Sequence, residues 1–285
     1  MASAIVRDLF DGRTAAAKLA TISSAMAIAP MLAPMLGGML DAAFGWRSVF
    51  VLYVVMGIAL LLVVSRDLTE TRQVTDTDPT PPLSALLAQK LFWAYAFCMA
   101  FGVGTFFIFL TGAPFVASSK FGLNSAEIGI GLGSITGGFM AGAAISARFV
   151  ERVGQARLII AGRVLALSGL GLGAVAFTMS ELAGWMLFAT TLWVGVGNGL
   201  TLPNANAGAL SVVPRLAGTA AGGVGALALV LGAALTALTT AILAGSPSTS
   251  ALFGLMIGSM SVSTIAAITA LHWQRQHMPD HAQFH

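Results

Sequence analysis

The sequence predicts an all-α fold, a polytopic membrane helical bundle, and three observations predict it. Of the 285 residues, 57% are AVILMFWYC and 9% are charged. Soluble domains carry roughly a quarter charged residues, so this chain lacks the polar surface to face water on all sides. Mean hydropathy is +0.88. The charges stand in short clusters between apolar runs of about 20 residues, the length at which a helix crosses the hydrocarbon core. The runs show no period-2 alternation and short loops join them, which favours helices over a barrel. Such apolar content also excludes a disordered chain.

Taken in order, charge-free runs occur at Leu19 to Leu40, Ser48 to Ser65, Leu91 to Ser119, Ile128 to Ala147, Val164 to Ser180 and Leu182 to Pro214. The last, Leu216 to Leu271, has 56 positions and is too long for one helix. The turn-forming segment Gly245-Ser-Pro-Ser-Thr-Ser250 divides it, which gives eight full spans after an N-terminal stub. Met1 to Lys18 mixes Arg7, Asp8, Asp11 and Arg13 without a central apolar region, unlike a signal peptide. The longest polar stretch, 66–89, holds Glu70, Asp76, Asp78 and Pro79-Thr-Pro-Pro82, the composition of an exposed linker.

The placement of positive residues sets the expected orientation. Alternate loops collect Arg7, Arg13, Lys18, Arg66, Arg72, Lys90, Arg148, Arg152, Arg157, Arg163, Arg215 and Arg275, twelve in all, against Arg47 and Lys120 on the other side. Both termini are therefore expected in the cytoplasm. The net charge of +3 forms no basic stripe with interleaved aromatics, so nucleic acid is not an expected partner. Cys98, the single cysteine, allows no internal disulfide and no cysteine zinc cluster.

No ionisable side chain is expected inside a span. Asp41, Glu127 and Glu181 fall at span ends, and His272 to His285 lie in the tail. That leaves no material for a carboxylate pair, a proton relay or a histidine metal site, so neither catalysis, a metal nor a cofactor is expected. Glycines recur four apart at Gly129, Gly133 and Gly137, at Gly138 and Gly142, Gly169 and Gly173, Gly218 and Gly222, and Gly254 and Gly258. Residues so spaced share a helix face where backbones approach closely. Pro30, Pro34, Gly37 and Gly38 predict a kinked, small-faced first span. In the sixth span Asn198, Thr201, Pro203, Asn204 and Asn206 group three amides with a proline, and both inter-helix bonding and cavity lining are open to them. Thr111, Gly112, Pro114 and Phe115 form a similar interruption in the third span, while Trp93, Tyr95, Phe101, Phe106 and Phe107 suit either an interfacial belt or a cavity wall.

These residues resemble the major facilitator superfamily, and within it the drug:proton antiporters of the Bcr/CflA type. Ala4-Ile-Val-Arg-Asp8 is similar to the end of the family's fourth helix. Ala29-Pro-Met-Leu-Ala-Pro-Met-Leu-Gly-Gly38 resembles the fifth-helix antiporter motif, with Ala33 where many members have Gly. Gly45-Trp-Arg47 is similar to the start of the sixth helix, and Thr111-Gly-Ala-Pro-Phe115 to the seventh-helix signature. The loop from Gly142 to Arg157, with Arg148, Glu151, Arg152 and Gly154, resembles the second copy of the cytoplasmic loop motif, Glu151 standing where Asp is commoner. Leu202-Pro-Asn-Ala-Asn206 and Ala217-Gly-Thr-Ala220 complete the series in the family's order.

The resemblance implies a partial major facilitator fold. Residues 1–65 would be a remnant of the N-terminal half, 66–89 the cytoplasmic central linker, 90–273 the six-helix C-terminal half and 274–285 a cytoplasmic tail. It implies a secondary transporter of the bacterial inner membrane that exports drugs or small amphipathic molecules by proton antiport, monomeric if full length, with the bilayer, substrate and protons as partners. Thr111, Pro114, Phe115, Asn198, Asn204 and Asn206 would border the substrate cavity; Pro30, Pro34, Gly37 and Gly38 would shape the moving helix; Gly142, Arg148, Glu151, Arg152 and Gly154 would latch the cytoplasmic side. The family's first three helices, where proton-coupling acids usually sit, have no counterpart here, so the rival expectation is a non-transporting fragment or a misplaced start.

Overall fold

The structure is a computed structural model that describes residues 36–67, 81–179, 184–245 and 247–277. Every extended element among them is a helix. The described part of α1 covers 36–44; α2 is Arg47–Asp67, α3 Lys90–Phe121, α4 Ser125–Val153, α5 Gln155–Met179, α6 Gly184–Ser211, α7 Ala217–Leu243 and α8 Thr249–His277. Contacts divide the chain into two compact units, Met1–Pro79 with Asn124–Gly133, and Thr80–Leu123 with Ser134–His285.

In the first unit, α1 gives way to α2 at Gly45. Arg47 lies 5.3 Å over the Trp46 ring, a cation–π contact, and Trp46 meets Phe50 edge-on. Gly38 is packed backbone to backbone: a Cβ there would lie 2.6 Å from the Ser125 carbonyl oxygen and 3.1 Å from Gly129 Cα. Asn124 and Glu127 form a capping box at the start of α4. The Asn124 N–H donates to Glu127 Oε2 at 2.9 Å, and the Glu127 N–H to Asn124 Oδ1 at 3.0 Å. Glu127 is thereby a helix-capping acid at a span end, where the sequence placed it. Pro30 and Pro34 lie outside the described residues, as do the Ala4–Asp8 stub, Glu70, Asp76, Asp78 and Glu181.

The second unit is built on α3, a 32-residue helix. It packs against α8, α7 and α6, while α5 packs against α6 and α8. Short connections at Gly122 and Gly154 reverse the chain. Both glycines hold positive φ, 66° and 87°, which side-chain-bearing residues adopt only with strain. At Gly122 the helix end is closed by Gly122 N–H to Ser118 O, the αL pattern, with Leu123 N–H donating to Ala117 O beside it. The division of the last apolar run is as expected, α7 ending at Leu243 and α8 opening after Ser248, whose Oγ accepts the Ala251 N–H at 3.4 Å.

Two expectations change here. The described end of the 66–89 stretch is largely exposed but ordered: Leu83–Leu87 is a helical turn whose Leu86 is 1% exposed, and the Leu87 carbonyl accepts the Trp93 Nε1–H at 2.8 Å. Pro114 and Pro203 do not interrupt their spans, since α3 and α6 continue through them. Each proline removes one donor from the ladder, which long helices packed on neighbours tolerate.

Six of the described helices, α2 to α5, α7 and α8, are long and apolar enough to cross a membrane. The 28-residue α6 is long enough, but its asparagines, threonines and tryptophans keep it out of that set. The chain is a multi-pass membrane protein.

Candidate functional site

Helix α6, which is long but falls outside the six membrane-capable helices, is packed on both of its faces. Its run Gly195-Val-Gly-Asn-Gly199 alternates glycine with larger residues. Alternate residues of a helix stand about 200° apart, on nearly opposite faces. A Cβ on Gly195 would meet the backbone of Ile135 and Phe139 in α4, and one on Gly199 the backbone of Phe139 and Ala143. From the other side of that contact, Gly138 and Gly142 of α4 face Leu192 and Val196. Gly197 faces Gly162 and Ala166 of α5 instead. The repeat therefore removes side chains from both faces of α6, so that α4 and α5 approach its backbone from opposite sides.

Polar side chains then tie α6 to three neighbours. Asn198 Nδ2 donates to the Gly102 carbonyl of α3 at 3.1 Å, Thr201 Oγ1 to the Ile159 carbonyl of α5 at 3.2 Å, and Asn204 Nδ2 to Ser146 Oγ of α4 at 2.7 Å. All three are buried. Of the two roles open to Asn198 and Asn204, inter-helix bonding is the one this geometry supplies. Asn206 is half-buried and stands outside that set of ties.

The remaining expected cavity residues form a separate group. Thr111 is half-buried and its Oγ1 lies 3.5 Å from Thr236 Oγ1 of α7. Gly112 faces Leu243, Leu252 and Thr239, Pro114 is half-buried, and Phe115 is 47% exposed. Thr111 lies nine residues beyond Gly102 in α3, about 14 Å along the axis, so the two groups do not make one site. Tyr95 is neither belt nor cavity wall; its ring packs on Gly208 in the core and its hydroxyl donates to Gln274 Oε1 at 2.7 Å.

The expected loop from Gly142 to Arg157 is almost entirely helix. Gly142 is buried in mid-α4, Arg148, Glu151 and Arg152 are exposed on its last turns, and the turn itself reduces to Gly154. Gly37 has open space where a Cβ would stand, whereas Gly38 is packed as described above.

Arg163 overturns the expectation that no ionisable group lies inside a span. Its charge in the hydropathy pattern places it in a loop, with the fifth span beginning at Val164. The helix instead starts at Gln155, and Arg163 is 0% exposed within it. Its Nη1 donates to Met260 Sδ at 2.8 Å. Its Nε and Nη2, like Asn198 Oδ1, have no hydrogen-bond partner among the described residues. Burying an unpaired charge costs several kcal/mol. A visible signal existed: one arginine between Leu158-Ile-Ile-Ala-Gly162 and Val164-Leu-Ala-Leu167, too apolar on both sides for a loop.

A groove of about 620 Å³ runs along the outer face of α5 and α8, lined by Arg157, Ile160, Val164, Ser168 and Leu271. It holds none of the polar residues of α6.

Comparison with known proteins agrees with this architecture. The Major Facilitator Superfamily model matches residues 1–237. The chain is 26% identical over 250 residues to a bicyclomycin resistance protein homolog of Haemophilus influenzae, covering 85% of this chain and 62% of that protein. It is 27% identical over 286 aligned positions to multidrug resistance protein MdtL of Citrobacter koseri, covering 97% and 70%. A chloramphenicol resistance protein of Pseudomonas aeruginosa is 28% identical over 225 residues, covering 76% and 52%. The chain thus spans about three-fifths of the length of the Haemophilus relative. With apolar helices packed through glycine and asparagine, and a family match over most of its length, the chain belongs to the Major Facilitator Superfamily.

Proposed function

We propose that this chain works as a secondary transporter of the bacterial inner membrane that exports drugs or other small amphipathic molecules by proton antiport with alternating access. The observation that carries the reading is the family match over residues 1–237, joined to relatives whose names record resistance to bicyclomycin, to chloramphenicol and to multiple drugs. Residues 1–65 and 90–273 would belong to the two halves that rock against each other, 66–89 would tether them, and 274–285 would be the tail. Both ends would face the cytoplasm. With Arg163 moved into a helix, the positive residues still divide eleven to two in favour of that orientation.

Within the second unit the cargo face would be the α3–α7 surface around Thr111, Pro114, Phe115 and Thr236, with Asn206 at its margin. Asn198 and Asn204 would hold the helices that present it. Pro30, Pro34, Gly37 and Gly38 would shape the moving helix, and Arg148, Glu151 and Arg152 would latch the turn at Gly154. A partly apolar face with few polar groups selects by shape and size. The test is reconstitution of the 285-residue chain in liposomes with a pH-sensitive dye inside. Proton movement that starts on adding a lipophilic drug, and is absent from empty liposomes, is the expected result. A folded chain that moves neither drug nor protons overturns the proposal.

A further inference from the structure

The buried guanidinium of Arg163 has chemistry that packing leaves unused. It sits eight residues into α5, among Gly102 of α3, Asn198 of α6 and Met260 of α8. A thioether sulfur is its one hydrogen-bond acceptor among the described residues, and sulfur accepts weakly without matching a charge. Arg163 is also the one charged side chain buried among those residues, so no acid there balances it.

The pattern of the unused atoms is informative. With Nη1 on Met260, the two free nitrogens are Nε and Nη2. These lie on one edge of the planar guanidinium, with their N–H bonds nearly parallel. That edge matches the two oxygens of a carboxylate, the side-on bidentate pairing for which arginine is suited and lysine is not. Gly102 lets the α3 backbone lie against the Nη1 and Nη2 end of the guanidinium, since a Cβ there would come within 3.0 Å of Nη1 and 3.1 Å of Nη2. Asn198, bonded to the Gly102 carbonyl, keeps Oδ1 without a hydrogen-bond partner among the described residues.

We propose that the Nε/Nη2 edge of Arg163 is a carboxylate-binding fork, and that it takes the acid group of exported molecules that carry one. The assignment of the carboxylate to cargo rests on the transporter reading; the fork itself does not. An aromatic acid entering there would replace the missing counter-charge, and a neutral isostere would leave it missing.

The test compares benzoate with benzamide, equal in size and differing in charge, by calorimetric titration and melting temperature of the purified chain. Benzoate is expected to bind and raise the melting temperature, and benzamide to do neither. Arg163→Gln should weaken benzoate binding at least about thirtyfold, the lower bound for truncating a buried charge pair. Without ligand it should melt no lower than wild type, because an unpaired buried charge has been removed. Should Arg163→Gln not fold, Arg163→Lys carries the same comparison, since it keeps the charge and loses the paired edge. Equal binding of benzoate and benzamide, or undiminished benzoate binding by Arg163→Gln or Arg163→Lys, overturns the fork. So does a wild type indifferent to benzoate whose Arg163→Gln variant melts lower, for the partner is then an Asp or Glu of the protein itself. Export of a neutral dye without benzoate binding removes the fork alone, and benzoate binding without any export removes the transporter reading alone.

Discussion

Helices α6 and α7 reverse the relation between apolarity and burial that holds in soluble proteins. The apolar window of α7 has a mean hydropathy of 2.2, yet 17% of it is buried. In α6, which carries three asparagines, 15 of 28 residues are buried. In lipid an apolar side chain gains nothing by leaving the tails for the protein interior, so hydrophobicity does not choose what goes inside. Close backbone approach and inter-helix hydrogen bonds do. Gly195, Gly197 and Gly199 supply the first, and Asn198, Thr201 and Asn204 the second. The apolar surface of α7 is left exposed, and the proposed cargo face draws on it.

If that contrast is right, the largest effect belongs to Gly195→Val. Its Cβ would run into the backbone of Ile135 and Phe139, which cannot turn aside as a side chain can. A loss of more than about 3 kcal/mol, at or beyond the usual range for overpacking, should show as absence of a monodisperse folded species in size-exclusion chromatography. Asn204→Leu comes next. It breaks the bonds to Ser146 Oγ and the Leu200 carbonyl, and membrane hydrogen bonds are worth about 1 kcal/mol, so a modest fall in melting temperature is expected, with drug export retained. Abolished export at unchanged melting temperature would return Asn204 to the cargo site. The smallest effect is expected of Gly222→Val in α7, where nothing lies within 4 Å of the added Cβ. A change within about 0.5 kcal/mol is predicted, and collapse of the fold there would erase the distinction between the helices.

Much of this contrast could be read from the chain before any coordinates, and the failures have physical reasons. Helix count followed from run length, and the α7–α8 break from Gly245 to Ser250, because both depend on local chemistry. Glycine spacing marked close approach correctly at Gly138 and Gly142, and at Gly169 and Gly173, which face Trp193 and Phe253. The same spacing at Gly218 and Gly222, and at Gly254 and Gly258, meets open space. Spacing shows that a face is smooth, whereas the neighbour is set by tertiary arrangement. Pro114 and Pro203 read as interruptions because the ladder loses a bond at each, but a packed helix absorbs one. Arg163 was misplaced for a different reason: a charge in a hydropathy pattern reads as a boundary, and only burial reveals a boundary that is not there.

The central claim is a division of labour, in which α6 holds the bundle together and the α3–α7 surface meets the cargo. Thiol labelling tests it directly, since Cys98 is the single cysteine and Cys98→Ala gives a blank background. In that background Phe115→Cys should react with a water-soluble maleimide and be protected by a transported drug that carries no acid group, while Asn198→Cys stays unreactive with or without that drug. Drug-protected labelling at position 198, with none at 115, would place the cargo on α6 and contradict the account.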